Sequence, residues 1–170
     1  MLMERGIEVP IETVSQIKEK TAFVSLEDEE TESFESFELP DGKKIELGNE
    51  RHRCTEHLFI PKTDDECGIP DLTYNSITKS GMDSRSGIYA YMYLAGGNTM
   101  IKGFKERMQR SMVALGPATM RVQVQAPSDR RNSSFWGACI TSSLSSFSEK
   151  WISKQEYDEV GPDIINRMCF

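Results

Sequence analysis

The stretch that most constrains the fold of this chain runs from Ile88 to Ala114, where an apolar, aromatic run meets Gly96-Gly97 and a helical period follows at once. After the glycines the apolar residues fall at Ile101, Phe104, Met108, Met112 and Leu115, a stripe of roughly 3.6-residue period. Lys102, Lys105, Arg107 and Arg110 occupy the other face. Strand, glycine turn and helix together would place unpaired backbone N–H groups and the positive end of a helix dipole beside a cleft. Paired glycines permit positive φ and the close approach of a flat ligand. The plainer alternative is a packed turn in which the glycines only relieve crowding. The stretch alone therefore suggests a nucleotide-type site without establishing one.

With 170 residues the chain is about one domain long, enough to bury roughly 70% of its unfolded surface. Its 38% hydrophobic and 28% charged residues are those of a soluble protein. No apolar run approaches the ~20 residues of a membrane span. The opening Met1–Gly6 has neither a basic region nor an apolar core of the secretory kind, which makes the cytosol the expected compartment. Cys54, Cys67, Cys139 and Cys169 form no C-x-x-C pair and read as reduced structural thiols. His52, Cys54 and His57 lie close in sequence. They are short of the four ligands a closed zinc site needs, and Arg51 and Arg53 would oppose a cation, so no metal site is expected.

The net charge of −7 is uneven: residues 1–85 hold 10 basic and 20 acidic residues, and residues 86–170 hold 10 and 7. Glu27–Glu32 with Glu35 and Glu38 forms an acidic run, which argues against nucleic-acid binding and reads equally as a solvated loop.

Along the chain, Pro10–Lys20 reads as a short helix with Ile11, Val14 and Ile17 along one face. Ala22–Leu26 is a short apolar run. Phe37–Leu47 looks like a hairpin turned at Asp41-Gly42. Cys54–Phe59 reads as a single helical turn, Lys62–Glu66 as a polar loop, and Asp71–Lys79 and Asp83–Tyr91 as helices, Asp83 capping the second. A buried strand is expected near Met92–Ala95, and alternation makes Met120–Ala126 a half-buried strand. Ser133-Ser134 can cap a helix carrying Trp136, Ile140, Leu144 and Phe147 on one side. Ser153–Glu156 is a capping box, and Gly161-Pro162 stops its helix before a last one over Asp163–Met168. Helices alternating with few strands make the class α/β with a small α+β lobe in front.

The last twenty residues, Trp151–Phe170, resemble the C-terminal tail of actin almost residue for residue. Leu39-Pro-Asp-Gly42, Gly48-Asn-Glu-Arg51, Asn75-Ser-Ile77, Leu94–Gly97 with Thr99-Met100, and Arg107-Met-Gln109 are similar to actin segments in the same order. The resemblance covers essentially the whole chain and corresponds to roughly the C-terminal half of an actin. It implies part of the actin-like ATPase (ribonuclease H-like) fold. Residues 1–66 would be a small lobe, 67–132 the strand–GlyGly–helix core and 133–170 the C-terminal helices.

The family binds ATP or ADP with Mg²⁺ and assembles into cytoskeletal filaments in the cytoplasm. By resemblance, Lys18 and Glu19 match residues flanking the adenosine. Gly96, Gly97, Met100 and Ile101 match the turn lining the nucleotide, and Arg131 stands where the family has a lysine beside the adenine. Trp136, Ile140 and Leu144 match the cleft where actin-binding proteins dock, whereas Phe147 suits a core position.

The family's phosphate hairpins, its metal-associated aspartate and the residues that position the attacking water belong to segments with no counterpart here. Mg²⁺, γ-phosphate and hydrolysis are therefore not expected of this chain alone. Glu27–Glu38 is shorter than in actin, Lys62–Glu66 lacks an apolar plug and Lys150 replaces an apolar residue at the cleft mouth, so conventional filament assembly is not expected either. Actin or actin-like subunits and actin-binding proteins are the implied partners, with no nucleic acid and no membrane. The alternatives are a nucleotide-independent module that binds actin or its partners, or a truncated fragment without a function of its own. A kinase or chaperone ATPase of the same two-half architecture is disfavoured by the actin-like tail.

Overall fold

Met112 has no exposed surface, and the larger core is assembled around the helix that carries it. The computed structural model describes residues 5–26, 34–63 and 66–168. Most of the acidic run, part of the Lys62–Glu66 loop and Cys169 lie outside them. Chain contacts divide into two units, Met1–Arg131 and Asn132–Phe170.

In the first unit, α1 (Ile11–Thr21) precedes an antiparallel hairpin of β1 (Glu35–Glu38) and β2 (Lys44–Leu47). Phe37 pairs with Ile45, and Gly42 takes a φ of +83° in the turn, so the hairpin forms as its Asp41-Gly42 signal implies. The inward face of α1 is rotated from the one expected: Ile17 is buried and Val14 half-buried as anticipated, but Ile11 is not. Thr13, Ile17 and Thr21 are buried, while Ile11 is 74% exposed. The i, i+4 spacing of those three residues sets the contact line, and Ile17 packs with Phe37 and Leu47 in a small second core.

Helix α2 (Glu50–Glu56) is longer and earlier than the single turn expected at Cys54–Phe59. Its buried residues are the polar His52 and Thr55, so apolar periodicity could not reveal it. Thr55 Oγ1 donates to Phe23 O at 2.8 Å, and the Arg51 guanidinium lies 5.0 Å from the Phe23 ring centroid. Next come α3 (Ile69–Lys79) and α4 (Met82–Ala90). Gly81, not Asp83, precedes α4, and no side chain caps it. Arg85 ties this junction instead, donating to Thr78 O at 2.6 Å and Ser80 O at 3.1 Å.

The sheet at the larger core is small. Strand β3 (Met92–Tyr93) runs parallel to β4 (Val124–Gln125), with Met92 opposite Val124. The seven-residue strand expected over Met120–Ala126 is thus reduced to two residues. Val124 is buried, and Met120 and Val122 still pack against the core. Gln109 supplies the reason on one side, because its side chain accepts from Val124 N at 2.8 Å and donates to Val122 O at 2.9 Å, satisfying backbone groups another strand would use.

Helix α5 spans Phe104–Leu115, with Phe104, Met108 and Met112 buried as the stripe requires. It does not begin directly after the glycines. A 3-10 turn over Gly97–Met100 and a left-handed Gly103 (φ +83°) intervene. A Cβ on Gly103 would lie 2.5 Å from Val24 O, and Val24 N donates to Lys102 O at 2.8 Å. The start of α5 is therefore roofed by the Phe23–Val24 backbone, which corrects the expectation of a helix dipole aimed into a cleft from Gly96-Gly97. These elements form a mixed α/β structure with small sheets.

The second unit holds α6 (Ser133–Ser143), α7 (Lys154–Val160) and α8 (Ile165–Met168). Asn132, rather than Ser133 or Ser134, stands at the N-cap position of α6, and its side chain makes no capping bond. The Ser153–Glu156 capping box is formed in full, with Gly161 ending α7 at φ +78°. Among the described residues, no helix is long and apolar enough to cross a membrane.

Candidate functional site

Because α1 turns Thr13, Ile17 and Thr21 inward, Lys18 and Glu19 emerge on its outer side, one turn before Ala22 leaves the helix in an extended conformation. Opposite them is the glycine turn. Gly96 adopts φ +90°, a region that favours glycine, and its N–H donates to Arg130 O at 2.9 Å. Its own carbonyl accepts from Thr99 N at 3.2 Å and Thr99 Oγ1 at 2.7 Å. Arg130 closes the arrangement, its Nη2 donating to Thr99 O at 2.8 Å and its Nη1 to Pro127 O at 2.9 Å. The 3-10 turn is thereby held at Gly96, just before it, and at Thr99, its third residue.

Between α1 and this turn lies a hollow of about 140 Å³, lined by Lys18, Glu19, Gly97, Asn98, Met100, Ile101 and Arg131. Two polar contacts span it. Arg131 Nη2 donates to Glu19 Oε1 at 2.8 Å, and Lys18 Nζ donates to Asn98 Oδ1 at 3.4 Å. Glu19 and Arg131 are about half exposed, so their ion pair is well solvated and weakly held. Met100 and the half-buried Ile101 supply the apolar wall.

Six of the seven expected nucleotide-side residues line this one hollow, although Lys18 and Arg131 are more than a hundred positions apart. Gly96 is not among its lining and serves the turn instead. Asn98 is an addition that contiguity with Gly97 and Met100 could have revealed. Arg130 is another, and no sequence signal separates its role as a brace from that of Arg131 beside it. Gly97 has an informative environment. Its φ is not positive, and a Cβ built on it would meet nothing within 4 Å. Neither backbone strain nor crowding requires glycine there, which disposes of the packed-turn alternative for this residue.

A larger, mainly apolar hollow of about 470 Å³ lies against α1, lined in part by Val9, Val14, Ile17 and Leu47. Of the charged groups at it, Glu50 pairs with Arg5, Arg51 with Glu35 and Thr21 O, and Lys18, which borders both hollows, with Asn98. It offers volume with a mainly apolar lining, whereas the smaller hollow sets an apolar wall against several polar groups.

The three residues weighed as metal ligands are placed apart in role. His52 is buried with its ring 5.6 Å from that of Phe23, and Cys54 Sγ donates to Arg51 O at 3.3 Å. Cys54 is exposed as a residue, but partial desolvation of its sulfur pushes the thiol above its ordinary range. Among the described residues, no group of three His, Cys, Asp or Glu side chains is placed to hold a metal ion.

In the second unit Trp136, Ile140 and Leu144 are 56%, 63% and 53% exposed, and α6 buries none of its residues. Leu144 stands just past the helix end in an extended conformation.

A braced glycine turn, an apolar wall and a charged rim thus come together on a mixed α/β scaffold. The chain belongs to the actin family: the family model described as Actin matches residues 9–170, nearly its whole length.

Proposed function

We propose that this chain supplies the adenosine-side wall of an actin-type ATP site. The observation that carries the reading is the open space over Gly97, bordered by Met100, Ile101, Lys18, Glu19 and Arg131. A flat base fits against a residue without a side chain, with the polarizable Met100 thioether as its platform. Glu19 accepts from ribose hydroxyls, and the planar Arg131 guanidinium, already tethered near the rim, stacks on or borders the base.

The fit extends to adenosine and not to the phosphates. Glu19 is the one carboxylate among the seven lining residues, too few for Mg²⁺, so the metal and the γ-phosphate are assigned to residues that a partner or a longer chain contributes. Bound Mg²⁺ would neutralise the phosphate charge during hydrolysis. This chain's residues hold and orient the nucleoside end. In this reading the protein acts in the actin cytoskeleton of the cytoplasm, with actin-like subunits as partners.

Titration of the full chain with adenosine and with Mg-ATP tests the proposal. Both are expected to bind weakly and to within roughly a factor of three of each other, a difference under about 1 kcal/mol. Mg-ATP binding tighter by roughly two orders of magnitude would show that the chain holds the phosphates itself.

The exposure of Trp136, Ile140 and Leu144 supports a second reading, a nucleotide-independent docking module. Salt-resistant co-sedimentation with actin filaments, unchanged by nucleotide and lost in Trp136→Ser, would favour it.

A further inference from the structure

Seven residues line the small hollow, and Asn98 alone among their side chains offers a donor and an acceptor side by side. Lys18 and Arg131 only donate, Glu19 as a carboxylate only accepts, and Met100 and Ile101 are apolar. Asn98 is the second residue of the 3-10 turn Gly97–Met100, between the open glycine and the methionine platform. That turn is fixed by the bonds of Thr99 and Arg130 to Gly96 and to each other, so the side chain projects from an anchored backbone.

Lys18 settles which way the carboxamide faces. Its ammonium donates to Asn98 Oδ1 at 3.4 Å. Rotating the amide by half a turn would set Nδ2 against that ammonium, donor against donor, so the oxygen stays on the Lys18 side. The contact is long and uses one of the two oxygen lone pairs. The other lone pair and the neighbouring Nδ2–H then form an acceptor–donor edge, and Nδ2 makes no bond to any described residue.

We infer that Asn98 reads the base in this hollow, selecting adenine by accepting from its N6 amino group while donating to N7. The inference rests on the adenosine reading above and adds a specificity determinant to it. An asparagine carboxamide matches the N6/N7 edge of adenine in a bidentate pair, the geometry by which such side chains pick adenine in nucleic acids. A 6-oxo purine presents two acceptors on that edge, so Oδ1 would face O6 and the pair would be lost. Lys18 has two functions here, as a rim cation and as the lock on the amide orientation.

The test uses the nucleosides adenosine, inosine and 7-deazaadenosine, titrated into the full chain and followed by ¹⁵N–¹H NMR. Adenosine is expected to shift the Asn98 side-chain amide pair together with the Gly97 and Met100 backbone signals. It should bind roughly 5- to 150-fold tighter than inosine, and 7-deazaadenosine, lacking the N7 acceptor, should also bind more weakly. In Asn98→Ala the adenosine-to-inosine ratio is expected to fall to about one, with signals remote from the turn unmoved. Asn98 is exposed and buries nothing, so a folded variant is anticipated, and the wild-type amide signals give a readout independent of it. Movement of Gly97 and Met100 with a stationary Asn98 amide, or equal binding of adenosine and inosine, would overturn the inference and leave the adenosine reading standing. Should adenosine move no signal around the hollow up to its solubility limit, both fall.

Discussion

Arg107 and Glu56, 51 positions apart, meet at 2.9 Å under cover of the first unit, with 11% and 27% of their side chains exposed. The same guanidinium donates to Ser25 O at 2.6 Å and lies 5.4 Å from the Phe59 ring centroid. Arg107 falls among the basic residues of α5 that sequence periodicity assigns to solvent. Its burial shows that helix taking part of its support from a charge pair as well as from its methionines.

Removing one partner of this pair should cost more than its net worth, since a carboxylate is left mostly buried with one oxygen, Glu56 Oε2, already without a partner. Arg107→Met is expected to destabilise the first unit by roughly 3 kcal/mol. The double variant with Glu56→Gln should recover at least half of that loss. Chemical denaturation of the single and double variants measures both, and an additive result would show that the two side chains are not coupled.

The glycine that opens the 3-10 turn, Gly97, and the one that follows it, Gly103, should respond differently to a methyl group. Gly103→Ala places a Cβ against Val24 O at a left-handed position and should cost about 2 kcal/mol or more. Gly97→Ala meets open space and should change stability by no more than about 0.5 kcal/mol. Adenosine binding should reverse the order, since Gly97→Ala intrudes on the base. Equal adenosine affinity in Gly97→Ala and wild type would count against the hollow as a base site.

Substitution of Gln109 by Met keeps its length and removes the amide that covers the outer edge of β4. Val124 N and Val122 O then lose their partner, at a cost of about 2 kcal/mol. Faster hydrogen exchange at the Val124 amide is the direct readout, and unchanged exchange would argue against the role assigned to Gln109.

Glu19→Gln and Arg131→Ala break a solvated pair, so melting temperature should barely move, a change of about 1 kcal/mol at most. Adenosine affinity should fall in both. A large stability loss without an effect on adenosine would reassign the pair to structure.

Glu156 titrates on its own schedule. The Ser153 hydroxyl and then the Ser153 backbone N–H, donating at 2.7 and 2.8 Å, hold its carboxyl below the usual glutamate value of 4.5. With the folded value depressed, the support this carboxylate gives α7 is complete above the unfolded value and is lost as pH falls through the folded one. A ¹³C NMR titration of the Glu156 carboxyl should show a midpoint below that of a glutamate in an unstructured peptide, and Ser153→Ala should raise it.

Where a structural event depends on neighbours in sequence, it was legible there. The Asp41-Gly42 hairpin, the Ser153–Glu156 box, the Gly161 stop and the buried stripe of α5 each require only residues within a few positions, and the structure contains all four. Where the structure departs from local expectation, the cause is the opposite one. Helix α2 is hidden from sequence periodicity because its packed residues, His52 and Thr55, are polar and meet Phe23, some thirty positions away. At Met120–Ala126 the strand is shorter than alternation implies, because alternation reports a half-buried face but not whether a neighbouring strand exists to pair with it. The dipole expected beside Gly96-Gly97 disappeared once Gly103 and the Val24 backbone occupied the start of α5.

The sequence by itself determined family, local elements and the candidates for the nucleoside wall, because these are written in residue identity and short spacing. Only the tertiary structure decided which candidates share a cavity. It drew Lys18 and Glu19 together with Gly97, Met100, Ile101 and Arg131, set Gly96 to hold the turn and brought Asn98 in. The physical reason is that a cavity is a property of which faces pack inward. On α1 that choice is made by Thr13, Ile17 and Thr21, and Lys18 and Glu19 face the hollow as its consequence.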